Sequence, residues 1–398
     1  MLPGKFNRYV LWDIIKMFLL TLVSMTLVIS LMFVGQQLVA EGISFLTIIK
    51  LMPFITLIAL QYSVPATLLF SVCCVYGRIS ADNEVIALKS AGISPMQIFR
   101  PVWVFGLLVS IPAVWLNDQA VSWARPGMQQ VVVRSIEQIL YPALQSHRSY
   151  TSEKGFSIHV EDVEDRWLIK PTIWMFSANG GQLTTIHAEK AKISFNLEKD
   201  VLTIELCDSI VDANRGKKLK WPGLQTVELP LLQATRNGES STSPSNYSMN
   251  EIPRELQSQS ELNARRREQL ATQASFAMAT GRFVSIQTPV LEHVQFQIQE
   301  TERRMARLRA EPMRRWSLGF SCLAFVWMGV PMAILIRSAD YWWSFGLCFI
   351  PILLVYYPLF GLALELSKKG TWPAVSLWIG NIALAAIGTW LMRKIIRA

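Results

Sequence analysis

Trp316–Ile336 reads WSLGFSCLAFVWMGVPMAILI, 21 residues without one Asp, Glu, Lys, Arg or His. A helix needs about 20 predominantly apolar residues to cross a bilayer core of roughly 30 Å. Two similar runs follow it, Tyr341–Leu364 and Thr371–Met392, and three precede it, Met17–Ala40, Leu51–Gly77 and Pro101–Asn117. A globular core wants helices that are apolar along one stripe, not on every side. The chain therefore reads as an α-helical integral membrane protein with six transmembrane helices, three on each side of a polar insert.

Composition agrees: 51% of the residues are hydrophobic and only 17% are charged, so the mean hydropathy is positive. The net charge of +9 is dispersed along loops. Membrane topology and lipid headgroups account for such a charge, and no nucleic-acid partner is expected. Cys73, Cys74, Cys322 and Cys348 sit in apolar runs, which leaves Cys207 alone in the insert. A lone thiol makes no internal disulfide, so this is not a disulfide-built ectodomain.

Six spans put both termini on one side. That side carries Lys5, Arg8, Lys16, Arg78, Lys89, Arg100, Arg337, Arg393, Lys394 and Arg397, against Lys50, Lys368 and Lys369 in the short loops opposite. Ten against three predicts cytoplasmic termini in the inner membrane, with the insert outside. The first run is too long for a signal peptide, lacks a small-residue cleavage site and is followed by further spans.

The expected domains are 1–121 (helices 1–3), 122–235 (a β domain), 236–312 (a linker and polar helical segment) and 313–398 (helices 4–6). From Tyr150 to Leu232 the hydrophobic period becomes two. Phe156–Val160, Ile169–Phe176 (interrupted by Pro171), Ile186–Phe195, Val201–Ile210 and Leu219–Leu231 (broken by Pro222) read as short strands, with a turn at Asn196–Asp200. Such spacing predicts an antiparallel sandwich or open roll. It serves equally a passive ectodomain or a sheet pair whose interior holds a lipid chain. Arg236–Asn250 reads as a linker. Glu255–Met278 and Leu291–Arg309 read as two polar helices, the second ending in Arg303, Arg304, Arg307 and Arg309. This Arg cluster is either a solvated helical face or a contact for acidic headgroups.

Several chemistries are missing. There is no G-x-x-x-x-G-K-[ST] loop for a nucleotide, no H-E-x-x-H and no G-x-S-x-G. No catalytic residue and no metal ligand is assigned. His147, His159, His187 and His293 are spread through the insert. Intramembrane ionisable residues usually mark an ion path. Here Asp13, Lys16, Asp118 and Glu365 all fall at span ends. Such a protein borrows its energy or uses none.

The loop after the second span, Gly77–Pro95, offers a short helix over about 80–92. Ser80 is the expected N-cap, Asp82 and Glu84 suit the first turn, and Gly92 with Pro95 stops the helix. Val85, Leu88 and Gly92 share a stripe. This helix suits a cytoplasmic motor domain that pushes on it, or simply lies at the membrane surface.

Glu84-x-x-Ala87-Leu88-x-x-Ala91-Gly92-Ile93-Ser94 resembles the coupling loop of the lipopolysaccharide export permeases, the LptF/LptG family. The resemblance extends to Arg8-Tyr9-Val10, to Arg314-Arg315-Trp316-Ser317-Leu318 leading into Gly329-Val330-Pro331-Met332, to Tyr356-Tyr357 and Lys369-Gly370-Thr371-Trp372-Pro373, and to Trp378-Ile379-Gly380-Asn381. It implies the permease subunit of an ABC transporter that extracts lipopolysaccharide from the inner membrane, a step in outer-membrane biogenesis. The implied partners are a cytoplasmic ATPase dimer, a related permease or second copy of this one, and a periplasmic bridge protein. The insert would be a periplasmic antiparallel β-jellyroll between helices 3 and 4. No cofactor is implied on this chain; the partner subunit would hydrolyse ATP.

Under that resemblance Glu84, Ala87, Leu88, Ala91 and Gly92 would dock the ATPase. Phe33, Gln37, Tyr356, Tyr357 and Phe360 would line the lipid cavity between the first and fifth spans. Ile158, Ile173, Ile193, Phe195 and Ile204 would carry lipid through the β domain. Some family members have Lys at the outer end of the first span, where this chain has Gln36-Gln37-Leu38-Val39-Ala40-Glu41. The alternative function is a membrane-anchored β domain that scaffolds or senses the cell envelope without transport.

Overall fold

A computed structural model describes residues 2–41, 45–128, 130–131, 144–145, 148–152, 156–164, 167–176, 182–196, 201–213, 217–230, 243–280, 289–337 and 340–397. The chain packs as two compact units. One takes in Met1–Met32, Pro53–Pro126 and Ser243–Ala398, the other Phe33–Met52 and Gly127–Thr242.

The helices are α1 (Leu2–Glu41), α2 (Phe45–Ala81), α3 (Glu84–Ser90), α4 (Pro95–Gln119), α5 (Ile252–Ala279), α6 (Pro289–Ile336), α7 (Tyr341–Pro351), α8 (Tyr357–Lys368) and α9 (Ile379–Arg397). Among the described residues six stretches are long and apolar enough to cross a membrane: Asn7–Gln36, Thr47–Ala81, Met96–Met128, Val294–Ile336, Trp342–Lys368 and Ala374–Arg397. In lipid every backbone polar group must be satisfied within the protein, and a helix does this within one segment. Pro53, Pro65, Pro101, Pro112, Pro312 and Pro331 lie inside these helices without ending them.

The core of the helical unit is made by Leu68, Val72 and Tyr76 of α2, Phe99 and Val102 of α4, Phe325, Val326 and Val330 of α6, and Leu384 of α9. α1 is mostly peripheral, with Leu20, Val23, Val28 and Leu31 exposed. Its N-terminal part is tied to α2 by Arg78, which donates to Asp13 at 2.7 Å.

Several expected boundaries shift. The polar helix over 291–309 and the fourth span are one continuous helix, α6, because a change from polar to apolar surface does not break an i to i−4 ladder. α4 runs on through a π-helical turn, Ala120–Ala124, past the expected start of the β domain at 122. Part of the expected linker is held in place: Pro244–Asn246 forms a 3₁₀ turn, and the carbonyls of Ser245 and Tyr247 accept hydrogen bonds from Arg315.

In the second unit β1 (Ser149–Ser152), β2 (Phe156–His159), β3 (Asp162–Glu164), β4 (Trp167–Ile169), β5 (Thr172–Phe176), β6 (Gln182–His187), β7 (Lys190–Asn196), β8 (Val201–Ala213) and β9 (Lys217–Pro230) form one antiparallel sheet. The strand expected over Ile186–Phe195 is cut at Ala188–Glu189. The cut belongs to a crease. β2 and β3, β4 and β5, and β6 and β7 are each one long strand interrupted by two residues, and β8 slips register between Cys207 and Ser209. Lys170, Asp208 and Gly223 have φ of +46°, +48° and +88°. Their interruptions lie side by side: Lys170 N–H donates to Glu189 O at 3.0 Å, Glu189 N–H to Cys207 O at 3.1 Å, and Gly223 N–H to Asp208 Oδ1 at 2.9 Å. Aligned bulges bend every strand at the same level, which curls the sheet. Pro222 sits at the crease, so β9 passes through it instead of ending there.

Buried rows flank the crease. Ile158 faces Ile173, which faces Ile186; Leu168 faces Ala191, which faces Leu206. Each large aliphatic side chain buried here contributes about 1.5–3 kcal/mol. The sheet lies in sequence between the third and fourth spans, as expected of a jellyroll-like domain.

Candidate functional site

α3 starts at Glu84, later than the sequence predicts. Ser80 is not its cap. It lies in the last turn of α2, where its hydroxyl donates to Ile334 O at 2.7 Å. Asn83 takes the N-cap position at φ +57°, without a side-chain cap. At the other end Gly92 adopts φ +80°. Gly92 N–H donates to Lys89 O and Ile93 N–H to Leu88 O, both at 3.0 Å, which is the Schellman closure that favours glycine.

One face of α3 is pinned to the bundle. Val85 is buried, Leu88 and Ile93 pack on the core, and Lys89 Nζ donates to Ile395 O of α9 at 3.1 Å. The expected contact stripe therefore divides: Val85 and part of Leu88 turn inward. Glu84, Ile86, Ala87, Ala91 and Gly92 are exposed. A hollow of about 350 Å³ lies beside the helix, walled by Val85, Ile86, Lys89, Ile334, Leu335 and Arg337. α3 thus presents a small, partly apolar outward face with one carboxylate.

At the opposite end of the bundle is a cluster that sequence reasoning missed. Arg315 of α6 is fully buried and donates to Asp118 of α4 and to the carbonyls of Ser245, at 3.1 Å, and Tyr247, at 2.6 Å. Met249 N–H donates to Asp118 at 3.2 Å. Glu311 accepts from Arg314 at 2.7 Å and from Ser245 Oγ at 3.1 Å. The knot locks the segment that enters α5 onto the end of α4 and the middle of α6. The available signal was a pair of opposite charges, Asp118 and Arg315, at the mouths of successive spans.

The expected cavity residues fall in both units and are described unit by unit. Tyr356 is 1% and Phe360 9% exposed, stacked at 5.7 Å and enclosed by Phe325. They are core residues of the helical unit. Tyr357 is 52% exposed. Phe33 lies on the stretch of α1 that belongs to the second unit, and the side chain of Gln37 is outside what is described. A different apolar groove, about 530 Å³, runs between α1, α2 and α4, walled by Phe18, Leu22, Val64, Phe105, Pro112 and Leu116. Ile158, Ile173 and Ile204 are buried in the β sheet. Ile193 and Phe195 lie on β7, with Ile204 and Leu202 as Cα partners, and their side chains are outside the described set. Among the described residues no group of three metal-binding side chains occurs.

A family model described as lipopolysaccharide export system permease LptF/LptG matches residues 8–394. The chain belongs to this family. No curated protein matches it. It is thus a multi-pass inner-membrane permease of lipopolysaccharide export, a transporter's membrane subunit and not a catalytic enzyme.

The structure gives physical reasons for LptF/LptG residues named from the sequence. Asn381 Nδ2 donates to Ser317 O at 2.9 Å, and Ser317 Oγ donates to Leu377 O at 2.7 Å, which joins α9 to α6. Trp378 lies against Phe320. A Cβ on Gly329 would stand 2.7 Å from Leu69, and one on Gly380 would stand 2.9 Å from Tyr356. These positions let helices approach closely inside lipid.

Proposed function

We propose that this permease works as the membrane half of an ABC exporter, driven by a separate cytoplasmic ATPase that docks on α3. The observation that carries the reading is the geometry of α3. It is pinned through Val85 and Lys89, so a push on its outward face reaches α2, α6 and α9. Glu84, Ala87, Ala91 and Gly92, with the exposed edge of Leu88, form the docking face, and Glu84 pairs with a basic residue of the partner. The termini and α3 are cytoplasmic and the β domain periplasmic, as the Lys/Arg asymmetry argues.

The lipid work needs outside energy. An acyl chain leaving the bilayer forfeits about 0.8 kcal/mol per CH₂ unless an apolar surface replaces the membrane. A related permease, or a second copy, completes that surface, with Tyr357 and Phe33 as the candidate contacts on this chain. The β domain then takes the chain along Ile158, Ile173, Ile193, Phe195 and Ile204, and hands it to a periplasmic bridge of like fold. This chain binds no cofactor; the partner binds the ATP.

The test is Glu84→Arg in the assembled transporter. The exposed carboxylate is not part of the helix's anchoring, so the variant should reach the membrane folded, lose co-purification of the ATPase and stop transport. Retention of both would show the docking face to be wrong. The purified chain alone, in nanodiscs, should hydrolyse no ATP.

A further inference from the structure

The unexplained Arg cluster of α6 gains a setting in the folded chain. Just past the end of α8 lies Gly370, φ +79°, whose Cβ position is 3.4 Å from Ala306 Cβ. That close approach lays Lys368 and Lys369 beside Arg303 and Arg307. Two hollows of about 400 and 740 Å³ open there and share Arg303 and Lys369 in their walls.

The acidic groups around these hollows have cationic partners. Glu311 holds Arg314 at 2.7 Å, Glu302 holds Arg267, Glu365 has Lys368 at 3.9 Å and Glu300 has Arg303 at 3.9 Å. Arg307, Arg309 and Lys369 pair with no acceptor among the described residues. A solvated helical face normally matches its Arg with Glu one turn away. Here that pairing is incomplete and the surplus cations converge on one cleft.

α5 braces the arrangement. Arg304 meets Glu255 at 3.3 Å and Arg266 donates to Thr301 at 2.6 Å, so the extended part of α6 is held rigid above the span. Depth is marked by two tryptophans at this end of the bundle: Trp316 is 45% exposed and Trp372 42%. Half-exposed Trp sits at the membrane–water interface. That enrichment suits a cleft at headgroup level.

We propose that the cleft between α6 and the end of α8 is an anion site for the phosphate groups of a lipid headgroup, with Arg303, Arg307 and Lys369 as its donors. Arg presents a planar fork that matches phosphate oxygens in pairs, and Lys adds a point charge. The assignment rests on the export reading only for which lipid arrives and from which side. It also gives the α5–α6 hairpin a role, as the frame that presents the two Arg side chains.

The test uses the full chain in nanodiscs of zwitterionic lipid. The probes are diphosphorylated lipid A, its dephosphorylated form, and inorganic pyrophosphate. The variant is Arg303→Gln/Arg307→Gln/Lys369→Gln, and the control is Arg254→Gln/Arg265→Gln on α5. Wild type and control should prefer the phosphorylated lipid, and the triple variant should lose about tenfold or more in affinity for it alone. Arg307→Gln, which removes an exposed and unpaired side chain, should show part of the loss if the triple variant folds poorly. Equal binding of the phosphorylated lipid by wild type and variants overturns the site and leaves the export reading standing. Loss of pyrophosphate binding with no wild-type binding of lipid overturns the lipid occupant. Wild-type binding of no probe overturns the site, while lipid crosslinking from Tyr357 tests export separately.

Discussion

Gly319 of α6 lies directly on Val114 of α4: a Cβ there would overlap Val114 Cγ2 and stand 2.7 Å from its backbone nitrogen. The third and fourth spans, separated in sequence by the whole β insert, therefore touch where α6 carries no side chain of its own. Gly319→Val should force them apart. Overpacking of this kind costs about 1–3 kcal/mol, occasionally more. The thermal midpoint in detergent should drop clearly, whereas Gly346→Val, where a Cβ meets nothing within 4 Å, should change little.

Arg315→Met should be among the most damaging substitutions. It strands Asp118 and frees the carbonyls of Ser245 and Tyr247. Breaking a buried pair by removing one partner costs about 3–5 kcal/mol. Arg315→Met/Asp118→Leu should recover part of the loss, because it removes the orphaned charge. Melting of the four chains of the cycle measures the coupling, and limited proteolysis around 243–251 reports whether the strap has come loose.

Gly92→Ala tests the end of α3. Its φ of +80° disfavours any Cβ even though nothing crowds the position. The left-handed conformation costs an L-residue about 1–2 kcal/mol. The bundle should melt nearly as before, since the strain is local, while ATPase co-purification weakens. An Asn at the same position, tolerant of that conformation, should retain more binding than Ala.

Tyr356 and Tyr357 are adjacent and should behave oppositely. Tyr356→Ala empties a core position, and truncating a buried aromatic to Ala costs about 3–5 kcal/mol. Tyr357→Ala should leave stability nearly intact and slow lipid transfer. A photo-crosslinker at 357 should label lipopolysaccharide in assembled transporter; one at 356 should label only protein.

Photo-crosslinkers at Ile158, Ile173 and Ile204 should label lipopolysaccharide when ATP is supplied. Equivalent probes at exposed Asp162 and Lys190 should not. Labelling confined to the exposed set would refute the interior path.

Much of this was legible in the amino-acid order. Spans such as Trp316–Ile336 are set by length and apolarity alone, because lipid leaves the backbone no other way to satisfy its polar groups. Period-two alternation announced most strands of the insert, and Gly92 announced the end of α3. The crease was not legible: Lys170, Asp208 and Gly223 look like separate turn residues until pairing sets them side by side. Tyr356, Tyr357 and Phe360 read as one aromatic group, yet helical rotation about a π-helical turn at Ile352–Tyr356 buries two and exposes the third.

Hydropathy and charge asymmetry fixed the six-span plan, because both depend only on local composition against a slab of lipid. Which charges are paired, which glycines are contact points and which face of α3 is free were decided by tertiary packing alone. Asp118 meets Arg315, and Lys369 comes beside Arg303, across long separations in sequence, and only closed helix contacts bring such residues within reach.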